Sequence, residues 1–155
     1  MKTEIHGHST GYSGSPTGLT IFWLEVLELA HGGDDAAIGQ RLSALALERE
    51  HLDELFGAGA AQRLWTEYVR AFASFTGDGA GEIAKKIRER SYDDVDVQPL
   101  SARPEVADSL RTNLPVYSVR LKRSDETDGI RIDTFIFLDG GWRTALKVGR
   151  ELSTG

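Results

Sequence analysis

The stretch Val116–Val148, VYSVRLKRSDETDGIRIDTFIFLDGGWRTALKV, constrains the fold more than any other part of the chain. It reads as three consecutive β-strands joined by two turns. In the first, Tyr117, Val119 and Leu121 alternate with Ser118, Arg120 and Lys122, the period-2 pattern of a half-buried strand. A polar turn, Ser124 to Gly129, comes next. In the second strand Ile130, Ile132, Thr134, Ile136 and Leu138 share one face under regular alternation. In the third, Trp142, Thr144, Leu146 and Val148 share one face.

Register follows from this pattern, because a slip of one residue exchanges the two faces of a strand. A two-residue loop would set the aliphatic face of the second strand against Arg143 and Lys147. A three-residue loop, Asp139-Gly140-Gly141, pairs Leu138 with Trp142, Ile136 with Thr144 and Thr134 with Leu146. It also sets Asp133 across from Lys147 as a cross-strand charge pair. The alternation therefore predicts the three-residue loop, with a glycine in the left-handed conformation. Phe135 and Phe137 then fall on the face that carries Arg131 and Asp133. A second apolar set there predicts another layer, a dimer contact or a ligand pocket.

The segments before the strands are helical in pattern. Ser15 is a candidate N-cap with Pro16 at the first helical position, and Thr17 or Thr20 are alternative caps. The helix would run to about Ala30, mostly buried, with Glu25 and Glu28 as its narrow polar strip. A strand through Thr20-Ile21-Phe22-Trp23 is the rival reading, disfavoured by the length of the run through Leu29. Asp34 or Asp35 caps a second helix, from Ala36 to about Glu48, with Ile38, Leu42 and Leu45 on one stripe. A short helix spans His51–Phe56. The most regular one spans about Ala60 to Phe75, with Leu64, Tyr68, Ala71, Phe72 and Phe75 on one face and Gly77 as its stop. A further helix covers Gly79–Arg90. Val95 and Val97 mark a first strand closed by Pro99, and a short helix can begin at Pro104.

These elements predict an α+β domain: N-terminal helices packed on a curved antiparallel sheet formed mainly by the C-terminal strand meander. Residues 1–17, rich in Gly, Ser and Thr, read as a flexible arm, and residues 18–152 as a single domain. A chain of 155 residues is of ordinary size for one domain. It contains no cysteine, which excludes disulfides, thiolate metal sites and a cysteine nucleophile. Its net charge of −6 argues against binding driven by phosphate neutralisation, so no nucleic-acid partner is expected. The first 115 residues hold 11 Lys/Arg against 18 Asp/Glu and the remainder 7 against 6, which reads as acidic, solvated helix faces. Leu19–Ala30 is too short and too charged to span a bilayer. The expectation is a soluble chain, either cytoplasmic or exported with its signal already removed.

Helices first, then a meander, with Leu138-Asp139-Gly140-Gly141-Trp142-Arg143 as an acidic-Gly turn followed by Trp and a basic residue, resembles the NTF2-like superfamily of α+β cones, particularly its small bacterial members. The resemblance covers roughly residues 18–150 as architecture. It implies a curved sheet wrapped on a long helix, with a cavity between them. In that superfamily the cavity serves isomerase-, dehydratase- and cyclase-like enzymes, while many members only bind ligands or dimerise. No acid/base set of those enzymes maps onto this chain.

Candidate chemistry is correspondingly sparse. Asp133 is the one carboxylate inside the meander; pairing with Lys147 at the surface is the competing role. Tyr68 and Tyr117 could donate hydrogen bonds to a ligand, or serve as core tyrosines. With Phe135 and Phe137 these form the predicted binding set. His6 and His8, spaced His-x-His in the arm, carry too few ligands for a metal site. His51, among Glu48, Glu50, Asp53 and Glu54, lacks a ligand spacing and reads as part of a solvated acidic helix. Lys85-Lys86-Arg88-Arg90 suits a helix C-terminus, or a small anion patch. There is no Gly-x-Ser-x-Gly elbow, Walker loop or dinucleotide fingerprint, and GDGAGE at 77–82 lacks a preceding strand and a lysine. No cofactor is expected. The predicted function is binding of a small apolar ligand or a protein partner, with a homodimer through the sheet. The alternative is a small-molecule isomerase, dehydratase or hydrolase using a cavity carboxylate or tyrosine.

Overall fold

Pro16 starts the first helix, α1 (Pro16–His31), with Ser15 at the N-cap in extended conformation. The fixed φ of proline suits that first helical position. The computed structural model describes residues 12–99 and 115–146. His6, His8, the helix expected at Pro104, and Lys147 and Val148 lie outside them. On α1, Leu19, Phe22, Trp23, Val26 and Ala30 are fully buried at helical spacing. Its outer strip is more apolar than predicted: Ile21 and Leu24 are 44% and 41% exposed beside Glu28, while Glu25 turns to Arg41 and Tyr12.

Asp34 caps α2 (Asp35–Ser43), its carboxylate accepting from the Ala37 N–H at 3.2 Å. The helix stops short of the predicted Glu48. Leu45 and Leu47 instead lie in a buried connection, and the Leu45 carbonyl accepts from the Thr144 N–H at 2.8 Å. Next come α3 (Arg49–Phe56), ended by Gly57 at φ 103°, and α4 (Ala60–Ser74). Gly77 does not end the helical run. A π turn (Phe75–Gly79) joins α4 directly to α5 (Ala80–Arg90). A π turn inserts one residue into the helical ladder and rotates the helix beyond it. The apolar face therefore changes partner: α4 buries Leu64 and Tyr68 in one core, α5 buries Ile83 and Ile87 in another.

Four strands, β1 (Asp94–Pro99), β2 (Val116–Lys122), β3 (Gly129–Leu138) and β4 (Gly141–Thr144), form an antiparallel sheet in sequence order. Together with the preceding helices this is the predicted α+β architecture. Two features of β3 depart from regular alternation, and they are linked.

The first is a β-bulge. Tyr117 pairs with Phe135 and Ser118 with Asp133, so Thr134 is an extra residue without a partner in β2. The bulge reverses which side chains point where. Ile130 and Ile132 fall on the same side as Phe135 and Phe137, against α1 and α5. Ile136 and Leu138 fall on the other side, in a second core with α3 and α4. The two apolar sets seen in the sequence thus fill two cores on opposite faces of the sheet.

The second is the hairpin. Leu138 pairs with Gly141 and Phe137 with Trp142, so the loop has two residues, Asp139 and Gly140, not three. Both have positive φ, 50° and 78°. Positive φ at both central residues is the type I′ arrangement that Asp-Gly favours. The register sets Arg143 across from Ile136, which the three-residue loop was expected to avoid. Arg143 satisfies itself there by donating to the carbonyls of Leu138 (3.1 Å) and Ala46 (2.9 Å). Trp142 gains edge-on contact with Phe137 and Tyr117, at 5.5 and 5.8 Å between centroids. Its indole N–H donates to the Ser13 carbonyl at 2.8 Å, and Tyr12 packs edge-on against Phe22, so residues 12 and 13 of the arm contact the domain.

Candidate functional site

The bulge also decides what becomes of Asp133. Arg131 and Asp133 alternate with Ile132 and lie across the bulge from Phe135. Among the described residues β4 pairs only with Phe135–Leu138, so all three border the edge of β3 beyond β4, at the level where α4 gives way to the π turn and α5. A cavity of about 610 Å³ lies between that helical junction and β3. Ala71, Phe75, Ile83, Ile132 and Leu146 supply its apolar wall. Glu67 and Arg70 from α4, with Arg131 and Asp133 from β3, supply its charges. Leu146 holds its wall position with φ at 55°, a left-handed conformation uncommon for a branched residue, and its N–H donates to the Thr144 hydroxyl. Gly79 lies at the cavity where the π turn is tight: a Cβ there would stand 3.0 Å from the Ser74 carbonyl oxygen.

Within the cavity Arg131 Nε donates to Asp133 Oδ1 at 3.1 Å. The Asp133 side chain is only 4% exposed, that of Arg131 31%. The pair is thus a buried carboxylate and a partly exposed guanidinium, both residues lining the cavity. The surface pairing of Asp133 with Lys147 falls outside the described residues.

The other predicted residues do not gather here. Tyr68 is core: its hydroxyl accepts from the Leu47 N–H and donates to the Thr144 carbonyl, both at 2.8 Å. Burial pushes its pKa well above the ordinary tyrosine value. Phe135 is fully buried against Trp23, at 5.9 Å between centroids. Phe137 and Tyr117 are half-buried around Trp142. The expectation that Phe135, Phe137 and Asp133 share a face fails because the bulge lies between Asp133 and Phe135. Sequence reasoning missed the helical side of the cavity, whose only signal was the apolar and charged mixture at residues 67–83.

His51 is fully buried rather than part of a solvated face. Its Nδ1 accepts from the Glu48 N–H at 2.9 Å, which places the ring proton on Nε2. Nε2 then donates to Asp139 Oδ2 at 2.6 Å, tying α3 to the hairpin turn. Both ring nitrogens are engaged, so the pair is a structural clasp. Hydrogen bonding to His51 holds the Asp139 carboxyl below the usual carboxylate range, and the positive charge of Arg143 adds to this. A depressed folded pKa contributes stability that is present above the unfolded value, about 3.9, and lost as pH falls through the folded one. Asp139→Asn keeps an acceptor and the turn propensity but removes the charge. It should therefore lower Tm at pH 7, with the gap to wild type closing as pH falls below the ordinary carboxylate range. Thermal scans across that range check this; a gap that does not change with pH would contradict it.

A second cavity of about 370 Å³ lies near the C-terminal end of α5, where Lys86, Arg90 and Arg123 mix with Glu126 and Asp128. The negative end of the helix dipole lies there, which works against an anion. Arg88 of the predicted basic patch turns away to Asp35, at 2.8 and 3.2 Å. At the other end of the molecule Tyr12, Glu25 and Arg41 form a hydrogen-bonded cluster. Burial and the bond to Glu25 push the Tyr12 pKa up to about 12. Among the described residues no group of three His, Asp or Glu side chains is placed to hold a metal ion, and no helix is long and apolar enough to cross a membrane.

Comparison with family models, with curated proteins and with solved structures finds no match to this chain.

Proposed function

We propose that the protein is a binding domain of NTF2-like kind whose cavity between β3 and the α4–π–α5 junction holds a small, largely apolar ligand. The observation that carries this reading is the cavity itself. At about 610 Å³ it falls within the range typical of small-molecule pockets, and an apolar wall with a few charged groups is their usual make-up. Helices followed by an antiparallel meander, with the cavity between a helix and the sheet, support the NTF2-like assignment. Binding is favoured over catalysis because the Tyr68 hydroxyl is committed to two backbone groups and Asp133 is held by Arg131. The second reading, an isomerase, dehydratase or hydrolase, draws its support from Asp133, a carboxylate at an apolar cavity. A homodimer through the sheet is a subordinate proposal, to be tested by light scattering.

Binding of the neutral dye Nile red tests the cavity. Wild-type protein should enhance its fluorescence with a Kd in the micromolar range, and Ala71→Trp and Ile83→Trp, which fill the wall, should abolish this while remaining folded by circular dichroism. Enhancement that persists in both folded variants would move the binding elsewhere.

A further inference from the structure

We infer that the ligand class is an amphipathic carboxylic acid, its apolar body against Ile83, Ile132 and Leu146 and its carboxylate on the guanidinium of Arg131. The inference rests on the cavity reading under Proposed function and adds the chemistry of the ligand's polar end. Three observations carry it. Of the charged pair on β3, the carboxylate is the hidden member and the guanidinium the one within reach, at 4% and 31% side-chain exposure. A ligand entering the cavity therefore meets a donor. The bond to Asp133 is made through Nε, and the terminal amino groups of a guanidinium carry about four further N–H donors in a planar fork that matches a carboxylate. Asp133 thus acts as a positioning residue, aiming the fork.

The third observation is that Arg131 lies directly across from Arg120 of β2. Asp96 of β1 lies across from Arg120 on its other side, so the row holds two guanidinium groups against one carboxylate, and an anion beside Arg131 evens the charge. The acidic groups at the cavity do not reverse this balance. Asp133 is matched by Arg131, and Glu67 lies three residues before Arg70 on α4, the spacing at which opposite charges neighbour one another. A ligand cation would have to reach Asp133 past the guanidinium.

The test is calorimetric titration of the full chain at neutral pH with three ten-carbon probes below their aggregation concentrations: decanoate, decanol and decyltrimethylammonium. Decanoate should bind roughly ten- to a hundredfold more tightly than decanol, the increment of a charge-assisted hydrogen bond, and the ammonium more weakly than either. The double variant Arg131→Gln/Asp133→Asn, which leaves no stranded buried charge, should bind decanol as wild type does and lose the preference for decanoate. Equal or tighter binding of decanol or the ammonium would overturn the acid assignment and leave the cavity reading standing. So would a preference that survives in the double variant. Failure of all three probes to bind would overturn both.

Discussion

Inserting one residue after Thr134 should leave a chain that cannot form its native cores. The bulge at this residue lets one strand serve two faces, with Ile130, Ile132, Phe135 and Phe137 toward α1 and α5 and Ile136 and Leu138 toward α3 and α4. The bulge takes up one residue; a second throws either the two phenylalanines or the two isoleucines to the wrong side, whereas deleting Thr134 gives plain alternation with all four still on one face. Phe135 is fully buried, and removal of a buried Phe alone costs about 3–5 kcal/mol. Misplacing the set exhausts the roughly 5–15 kcal/mol by which a domain is stable. The expected result is loss of the cooperative thermal transition and of dispersed amide resonances. Thr134→Ala keeps the chain length and should cost only about 1 kcal/mol, the size expected for an ordinary substitution. An insertion variant that unfolds cooperatively near the wild-type Tm would show that the spacing at the bulge does not set the fold.

The second large effect concerns Arg131 and Asp133. Arg131→Gln removes the cation from a buried carboxylate, and breaking a buried pair from one side costs about 3–5 kcal/mol. Because Arg131 keeps a third of its side chain in water, about 2–4 kcal/mol is the expected loss here. Adding Asp133→Asn should recover part of it, since the carboxylate deprived of this cation is removed as well. A double-mutant cycle by urea denaturation measures this directly. A double variant that is less stable than Arg131→Gln would mean that Asp133 is held chiefly by groups other than this arginine.

How far the sequence reveals this protein depends on the range of the interactions involved. Ser15-Pro16, the face of α4 and the order of helices and strands are local features, and they read correctly. The hairpin register does not, because it was set by assuming unbroken alternation through β3. The residues themselves speak against that assumption: Ile132 with Phe135 and Phe137 on one side, Ile136 and Leu138 on the other, is a pattern only a bulge accommodates. Asp139-Gly140 is itself a strong signal for a two-residue loop, and it outweighs the parity of the flanking strands. Gly77 reads as a helix stop, yet the change of apolar face between Tyr68 and Ile83 requires a π turn more than a break.

Long-range partners account for what the sequence does not show. The Tyr68 hydroxyl meets Thr144, 76 residues on, and His51 meets Asp139, 88 residues on. Nothing near either residue announces those bonds, and the acidic neighbours of His51 suggest a solvated face. The cavity is legible only in part. Asp133 stands out as the carboxylate of the meander, whereas the helical wall becomes a wall only when the π turn brings Phe75 and Ile83 opposite Ile132.

The central claim is that this cavity is where the protein binds its ligand. Intermolecular NOEs from decanol, a neutral probe independent of the acid assignment, test it most directly. Cross-peaks are expected from the alkyl chain to the methyl groups of Ala71, Ile83, Ile132 and Leu146. Bound decanol with NOEs only to residues away from this wall, such as Ile21 and Leu24 on the outer face of α1, would contradict it.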